Sequence, residues 1–282
     1  MRIDSHQHFW NYDSSQYPWI PTGSALHRDW LPGNLAKRLQ EHQFDGSIAV
    51  QARQSIEETR WLLELSESTQ QILGVVGWVD LRSSALVAEL DALSLHPRLV
   101  GVRHVAQDEP DDDFLTRPDV ILGISRLRSF HLVYDLLVFP HQLPSAIRLA
   151  QSLPGQQFVL DHGAKPPIRL GDMFQWKRRI HQLSKCPNVS CKISGLVTEA
   201  DLASWSCEQI FPYIQELMDA FGEDRILFGS DWPVCLLAAS YDRVVDLAER
   251  AVSGFSTEAK TKFWGGNAEK VYLRSRDPIQ NL

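Results

Sequence analysis

A closed (β/α)8 barrel built as a single domain is the fold this sequence predicts, on three observations. Eight short apolar runs alternate with eight longer amphipathic ones, the pattern of successive βαβ units and a parallel sheet. The repeat is regular, 27 residues from Val75 to Val102 and 26 from Val133 to Val159. No Gly-x-Gly-x-x-Gly follows the first strand-like run, so the nucleotide signature of the rival doubly wound sheet is missing. At 282 residues the chain has the length of one such barrel.

In a parallel barrel chemistry gathers at the carboxyl ends of the strands, so each run is read for the polar residues that close it. Residues 2–8 form the first. There Asp4, His6 and His8 alternate with Ile3, Ser5 and Gln7, and alternate side chains of a strand share a face, so both imidazoles point the same way. The stretch from Phe9 to Pro32 holds Trp10, Tyr12, Tyr17, Trp19 and Trp30 with little periodicity. It reads either as a lid or binding loop or as a surface loop pinned by aromatic packing. A helix over 34–42 leads to the second strand, 46–53, which ends in Gln51 and Arg53. A helix over 57–69 precedes the third, 72–80, which ends in Trp78 and Asp80. After a helix over 85–95, the fourth strand, 99–106, carries Arg103 and His104. A helix over 118–130 and a fifth strand over 132–138 follow, the strand carrying Asp135. Beyond a helix over 142–152, the sixth strand, 157–162, ends in Asp161-His162 and runs on into Gly163-Ala164-Lys165-Pro166. A helix over 172–183 leads to the seventh strand, 189–194, with Ser190, Lys192 and Ser194 on one face. A helix over 208–221 leads to the eighth, 225–231, ending in Gly229-Ser230-Asp231 before Trp232-Pro233. A helix over 242–252 follows, and Trp264-Gly265-Gly266-Asn267-Ala268 reads as a turn opening a closing helix.

Any one polar strand end has a plain explanation: a water-facing end, or an ion pair between strand and helix. Polar ends on all the strands, converging on one mouth, are what an active site requires. The sharpest set is His6, His8, His162 and Asp231. Three imidazoles and a carboxylate suit one divalent metal, zinc above all, with water in an open position. Asp231 then binds the metal or takes a proton from the attacking water. A metal-free version serves as well, with the histidines polarising a carbonyl and Asp231 alone activating water. Arg53, Trp78, Arg103, His104 and Lys165 are candidates for holding substrate hydroxyls or a carboxylate, although Arg103 has the alternative of pairing with Asp80 or Asp135. Trp78 and Trp232 offer ring faces for stacking, with core packing the other use of Trp78.

Composition excludes several classes. Hydrophobic residues make up 44% and charged residues 22%, as in ordinary globular proteins. A net charge of −7 argues against nucleic acid and polyanionic membranes as partners. No apolar run reaches the length of a membrane span, and Arg2 is followed by no apolar signal core. The 4 cysteines have no Cys-x-x-Cys spacing, so the expectation is a reduced, cytoplasmic protein without a zinc ribbon.

The first-strand His-x-His, sixth-strand histidine and eighth-strand aspartate resemble the amidohydrolase superfamily. The longer strings 3–10, 160–166 and 228–233 resemble more narrowly its sugar-lactonase branch, of the L-fuconolactonase and L-rhamnonolactonase type, and Asn267-Ala268 in the final helix also fits. The resemblance implies a hydrolase that opens a lactone ring by water attack, with Asp231 as the catalytic aspartate and His6, His8 and His162 as the matching histidines. Dinuclear members carry a bridging lysine or glutamate where Arg103 and His104 stand, and Asp135 with His141 replaces a fifth-strand histidine, which argues against a two-metal site. Relatives in the lactonase branch work without a firmly bound metal, so one zinc ion or none is the expectation. A metal-dependent decarboxylase and a lactonase for a pyrone dicarboxylate are the alternatives. A sugar-binding protein without catalysis is disfavoured, because binding alone has no use for a general base.

Overall fold

The alternation of apolar runs resolves into strands β1 (Ile3–Gln7), β2 (Gly46–Val50), β3 (Ile72–Gly77), β4 (Leu99–His104), β5 (Val133–Leu136), β6 (Phe158–Leu160), β7 (Val189–Ile193) and β8 (Ile226–Phe228). A computed structural model describes residues 1–273. Neighbours pair in parallel in the order β1 to β8. A parallel bridge between Gln7 and Trp232 closes the ring, where His8 N–H donates to Trp232 O at 2.7 Å and Asp231 N–H to His6 O at 2.8 Å. The barrel is therefore sealed by backbone at the level of the candidate residues.

Helices α1 (Pro32–Glu41), α2 (Ile56–Ser68), α3 (Leu86–Ser94), α4 (Pro118–Leu127), α5 (Leu143–Ser152), α6 (Phe174–Leu183), α7 (Cys207–Phe221) and α8 (Tyr241–Ala251) follow the strands in turn. Local chemistry starts them: Ser55 Oγ accepts from Glu57 N and Glu58 N at α2, and Ser240 Oγ from Arg243 N at α8. The strands are shorter than the sequence suggests. Gln51, Arg53, Trp78, Asp80, His162 and Asp231 all stand beyond the strand ends, in the loops that form the mouth.

The amino end of the barrel is filled by Ile3, Ile48, Val50, Val76, Val100, Val133, Val159 and Leu227. Such β-branched stacking is the signature of strands buried on both faces. Beneath them the last helical stretch packs Ala268, Val271 and Tyr272 into the same cluster. That stretch begins as α9 (Thr257–Thr261), so the helix precedes the Gly265-Gly266 pair instead of starting from it. A Cβ on Gly265 would lie 2.2 Å from Met1 O, so only glycine lets this segment pass under the first strand. Asn267 Nδ2 donates to Glu223 O and Ile226 O, both at 2.8 Å, tying the segment to β8.

The long first connection has its own core of Trp10, Tyr17, Ile20 and Leu26, held by paired backbone bonds between Trp10 and Trp30 at 2.9 Å. The cysteines are all free. No helix among the described residues is long and apolar enough to cross a membrane.

Candidate active site

At the carboxyl mouth a cavity of about 610 Å³ opens, with Asp231, His8, His162 and Arg103 at its floor. Strand periodicity brings His6 and His8 together as the sequence implies, their Nε2 atoms 3.2 Å apart. Asp231 Oδ1 lies 3.4 Å from His8 Nε2, 3.7 Å from His6 Nε2 and 3.9 Å from His162 Nε2. His162 and Asp231 arrive by another route than strand alternation. Both have left-handed backbones, with φ of 54° and 58°, and these turns swing the side chains inward after β6 and β8 have ended. Gly195 faces them across β7, where a Cβ would lie 2.5 Å from His162 Nδ1.

Second partners orient the imidazoles. His8 Nδ1–H donates to Val50 O at 2.8 Å, which turns its Nε2 toward Asp231. His162 Nδ1 bonds Ser194 Oγ at 2.9 Å. Burial pushes His162 down to about 4 and His6 well below the usual imidazole value. Burial also opposes ionisation of Asp231, yet the surrounding imidazoles, His162 foremost, hold its carboxyl below the ordinary range.

Beneath this layer lies a buried charge network. Arg103 Nη1 donates to Asp161 Oδ2 at 3.0 Å and Nη2 to Gln51 O at 2.5 Å. Lys192 Nζ donates to Asp135 Oδ2 at 2.6 Å and lies 3.0 Å from Asp161 Oδ1, and Tyr272 OH donates to Asp135 at 2.8 Å. Arg103 thus pairs with Asp161, and not with Asp80 or Asp135.

Ligand atoms of His6, His8 and Asp231 converge closely enough to hold one metal ion, and a second such group is His6, Asp161 and His162. In the first, two imidazoles and the Asp231 carboxylate are a donor set that fits a divalent cation. In the second, Asp161 is already matched by Arg103 and Lys192, which leaves little negative charge for an ion. The four residues expected as one ligand set therefore split, with His162 outside the group that fits.

Of the expected binding residues, Arg53, Arg103 and Lys165 line the cavity; Trp78, His104 and Trp232 do not. Trp78 Nε1–H donates to His104 Nδ1 at 3.3 Å, and His104 continues to Glu109 at 2.7 Å. Trp232 is buried against Phe9 and Trp30. These three are satisfied by packing. Cavity residues that strand-end reading missed come from loops: Ser15, Gln16 and Trp19 from the first connection, Gln54, Gln107 and Thr198 from later ones. Only the aromatic richness of the first connection pointed there.

Glu58 couples two of these loops. Its buried carboxylate accepts from Tyr17 OH at 2.9 Å, Ala52 N at 2.9 Å and Arg53 N at 3.0 Å. Burial pushes its carboxyl up to about 6 from 4.5. A carboxyl raised on folding stabilises the fold fully below the unfolded value and loses that contribution as pH rises through the folded one. Denaturant midpoints of wild type and Glu58→Gln at pH 4 and pH 7 should therefore converge or cross, with about 2 kcal/mol of wild-type advantage lost on the way. A difference independent of pH would refute this reading of Glu58.

The fold and this mouth define a (β/α)8-barrel protein with a histidine–aspartate centre. The family model described as Amidohydrolase matches residues 3–274, and the chain belongs to that family. It is 43% identical to an L-fucono-1,5-lactonase of Burkholderia multivorans, with 96% of each chain covered. A second L-fucono-1,5-lactonase, of Burkholderia ambifaria, is 36% identical over 98% of this chain and 96% of its own. The crystal structure of a Burkholderia multivorans amidohydrolase with bound zinc superposes with a TM-score of 0.93 at 42% identity, covering 96% of this chain and 99% of that one.

Proposed function

We propose that the protein hydrolyses the ring ester of a sugar lactone, with L-fucono-1,5-lactone the first substrate to try. The carrying observation is a buried aspartate ringed by His6, His8 and His162 at the floor of a sugar-sized cavity, in a chain 43% identical to an L-fucono-1,5-lactonase. Water held beside Asp231 Oδ1 and His8 Nε2, which lie 3.4 Å apart, gives its proton to Asp231 and attacks the lactone carbonyl. The oxyanion forms against His162, which lines the cavity. The ring oxygen leaves as an alcohol, with Lys165 in the same wall as its proton donor. Arg53 and the polar loop residues would hold the sugar hydroxyls. A divalent ion such as zinc held by His6, His8 and Asp231 would polarise the carbonyl and acidify the water.

The arrangement of cations speaks against a pyrone dicarboxylate. Two carboxylates need Arg53, Arg103 and Lys165 together, yet Arg103 is committed to Asp161 and Gln51, and Lys165 stands 3.7 Å from Glu199. Neutral sugar lactones make no such demand.

Ring opening releases a proton, so a pH-indicator assay with a panel of aldonolactones and 2-pyrone-4,6-dicarboxylate, with and without chelator, tests the reading. Turnover of a neutral aldonolactone is expected, and the chelator arm reports any metal dependence. A folded preparation that opens none of the aldonolactones would overturn the proposal.

A further inference from the structure

Ring opening ends on a poor leaving group: the ring oxygen departs as the alkoxide of a sugar alcohol unless a proton reaches it as the C–O bond breaks. Lys165 is the donor in the cavity wall for that step, but a lysine on its four-carbon stem is flexible. Two loops restrict it. The residues from His162 to Lys165 all have left-handed backbones, with φ of 54°, 54°, 59° and 49°, and this coil after β6 carries Lys165 across to the loop after β7. That loop opens with Gly195, also left-handed at φ 62°, and passes at once into the short turn Leu196–Glu199. Thr198 ties the turn down, since its N–H and its Oγ1–H both donate to Gly195 O, at 3.3 Å and 2.7 Å.

Lys165 Nζ then stands 3.7 Å from Glu199 Oε1 and 5.4 Å from the centre of the Phe139 ring. Glu199 does not line the cavity, whereas Thr198 beside it does. Among the described residues, Lys165 is the one cation within ion-pair distance of the Glu199 carboxylate. Burial pushes that carboxyl up, and Lys165 is the foremost group opposing the rise. At 3.7 Å the contact is one of charge, too long for a good hydrogen bond. The ring face attracts an ammonium through its quadrupole. An ammonium has three donors. Its two neighbours fix the place of the nitrogen and leave protons free for the occupant of the cavity.

We propose that Glu199 is a positioning residue: it holds the Lys165 ammonium at the cavity wall, where Nζ gives a proton to the ring oxygen of the lactone. As the carbonyl re-forms, the electron pair of the breaking C–O bond goes to the ring oxygen, which takes that proton and leaves as a hydroxyl. The amine left on Lys165 regains, through solvent, the proton that Asp231 took from water. Ionisation of the new carboxylic acid is then the single net proton released. The role in turnover rests on the lactonase reading; the placement of Lys165 by Glu199 does not.

A double-mutant cycle tests the role in turnover. On the best aldonolactone, Lys165→Met should cut kcat about 100-fold or more and Glu199→Gln about 10-fold, each with little change in KM. Glu199→Asp, which keeps the charge on a shorter stem, should recover part of the loss. In the Lys165→Met background, Glu199→Gln should change kcat by less than about twofold, because a residue acting through the lysine has nothing left to act on. Glu199→Gln at wild-type kcat overturns the proposal, and so do two losses that simply multiply. Lys165→Met at wild-type kcat overturns it as well, since the ring oxygen then takes its proton elsewhere. The placement is read without turnover, by NMR of protein reductively methylated with 13C-formaldehyde. The dimethyl-Lys165 signal, identified by its absence in Lys165→Arg, should lie upfield of the exposed lysines over the Phe139 ring and return to their range in Glu199→Gln. Glu199→Asp, with a smaller shift expected, serves if Glu199→Gln fails to fold. A signal that neither substitution moves overturns the proposal. A wild type that opens no aldonolactone defeats the lactonase reading and the proton transfer with it, while a moved signal still upholds the placement.

Discussion

Replacing Asp231 by asparagine is expected to cut kcat by about two to four orders of magnitude, the usual cost of losing a general base. The substitution suits the test because it changes little else. Asparagine has the shape of aspartate and is among the few residues that adopt a left-handed backbone readily, which position 231 requires at φ 58°. The bond from the residue-231 N–H to His6 O, which helps to close the barrel, is also kept. Steady-state kinetics with the best lactone should show the loss in kcat, with KM and the denaturation midpoint near their wild-type values. A variant retaining a third or more of wild-type kcat would show that some other group takes the proton.

Asp161→Ala should damage the fold more than any other single change at the site. Asp161 is fully buried between Arg103 at 3.0 Å and Lys192 at 3.0 Å, and its removal leaves two buried cations with Asp135 as their sole remaining carboxylate partner in this network. Breaking one buried ion pair typically costs about 3–5 kcal/mol, because the partner stays desolvated and unpaired. Arg103→Met combined with Asp161→Leu removes both halves of one pair and should cost less than the single change. The pH dependence carries a sign. Burial opposes ionisation of Asp161, but Lys192, His6 and Arg103 hold its carboxyl well below the unfolded value of 3.8. Its contribution is present above that value and lost as pH falls through the folded one, so the acid limb of the stability curve should be shallower in the variant. Urea unfolding at pH 7 and at pH 3.5 measures both effects, and a loss under about 1 kcal/mol at pH 7 would contradict the pairing.

The barrel was legible because its signal is repetition. Eight alternations survive errors of a few residues at each strand end, and the strands proved shorter than expected without altering the order. His6 and His8 were legible for a similar reason, since a period of two on a strand needs no tertiary information. His162 and Asp231 were found as residue types in suggestive strings, but their inward aim depends on left-handed turns that strand alternation does not describe. The pairing of Arg103 with Asp161 and of Lys192 with Asp135 was not legible. Each residue stood out as polar on a strand, while its partner is fixed by side chains meeting across the barrel interior. Trp78, His104 and Trp232 were read as binding residues because an aromatic or imidazole at a strand end looks the same whether it faces a ligand or Glu109, Phe9 and Trp30.

Tyr272 belongs to the last turns of the described chain, yet its hydroxyl caps a carboxylate in the barrel interior. A deletion that removes Tyr272 should therefore be read as a lesion of the buried charge network under the active site, although it removes nothing from the substrate cavity.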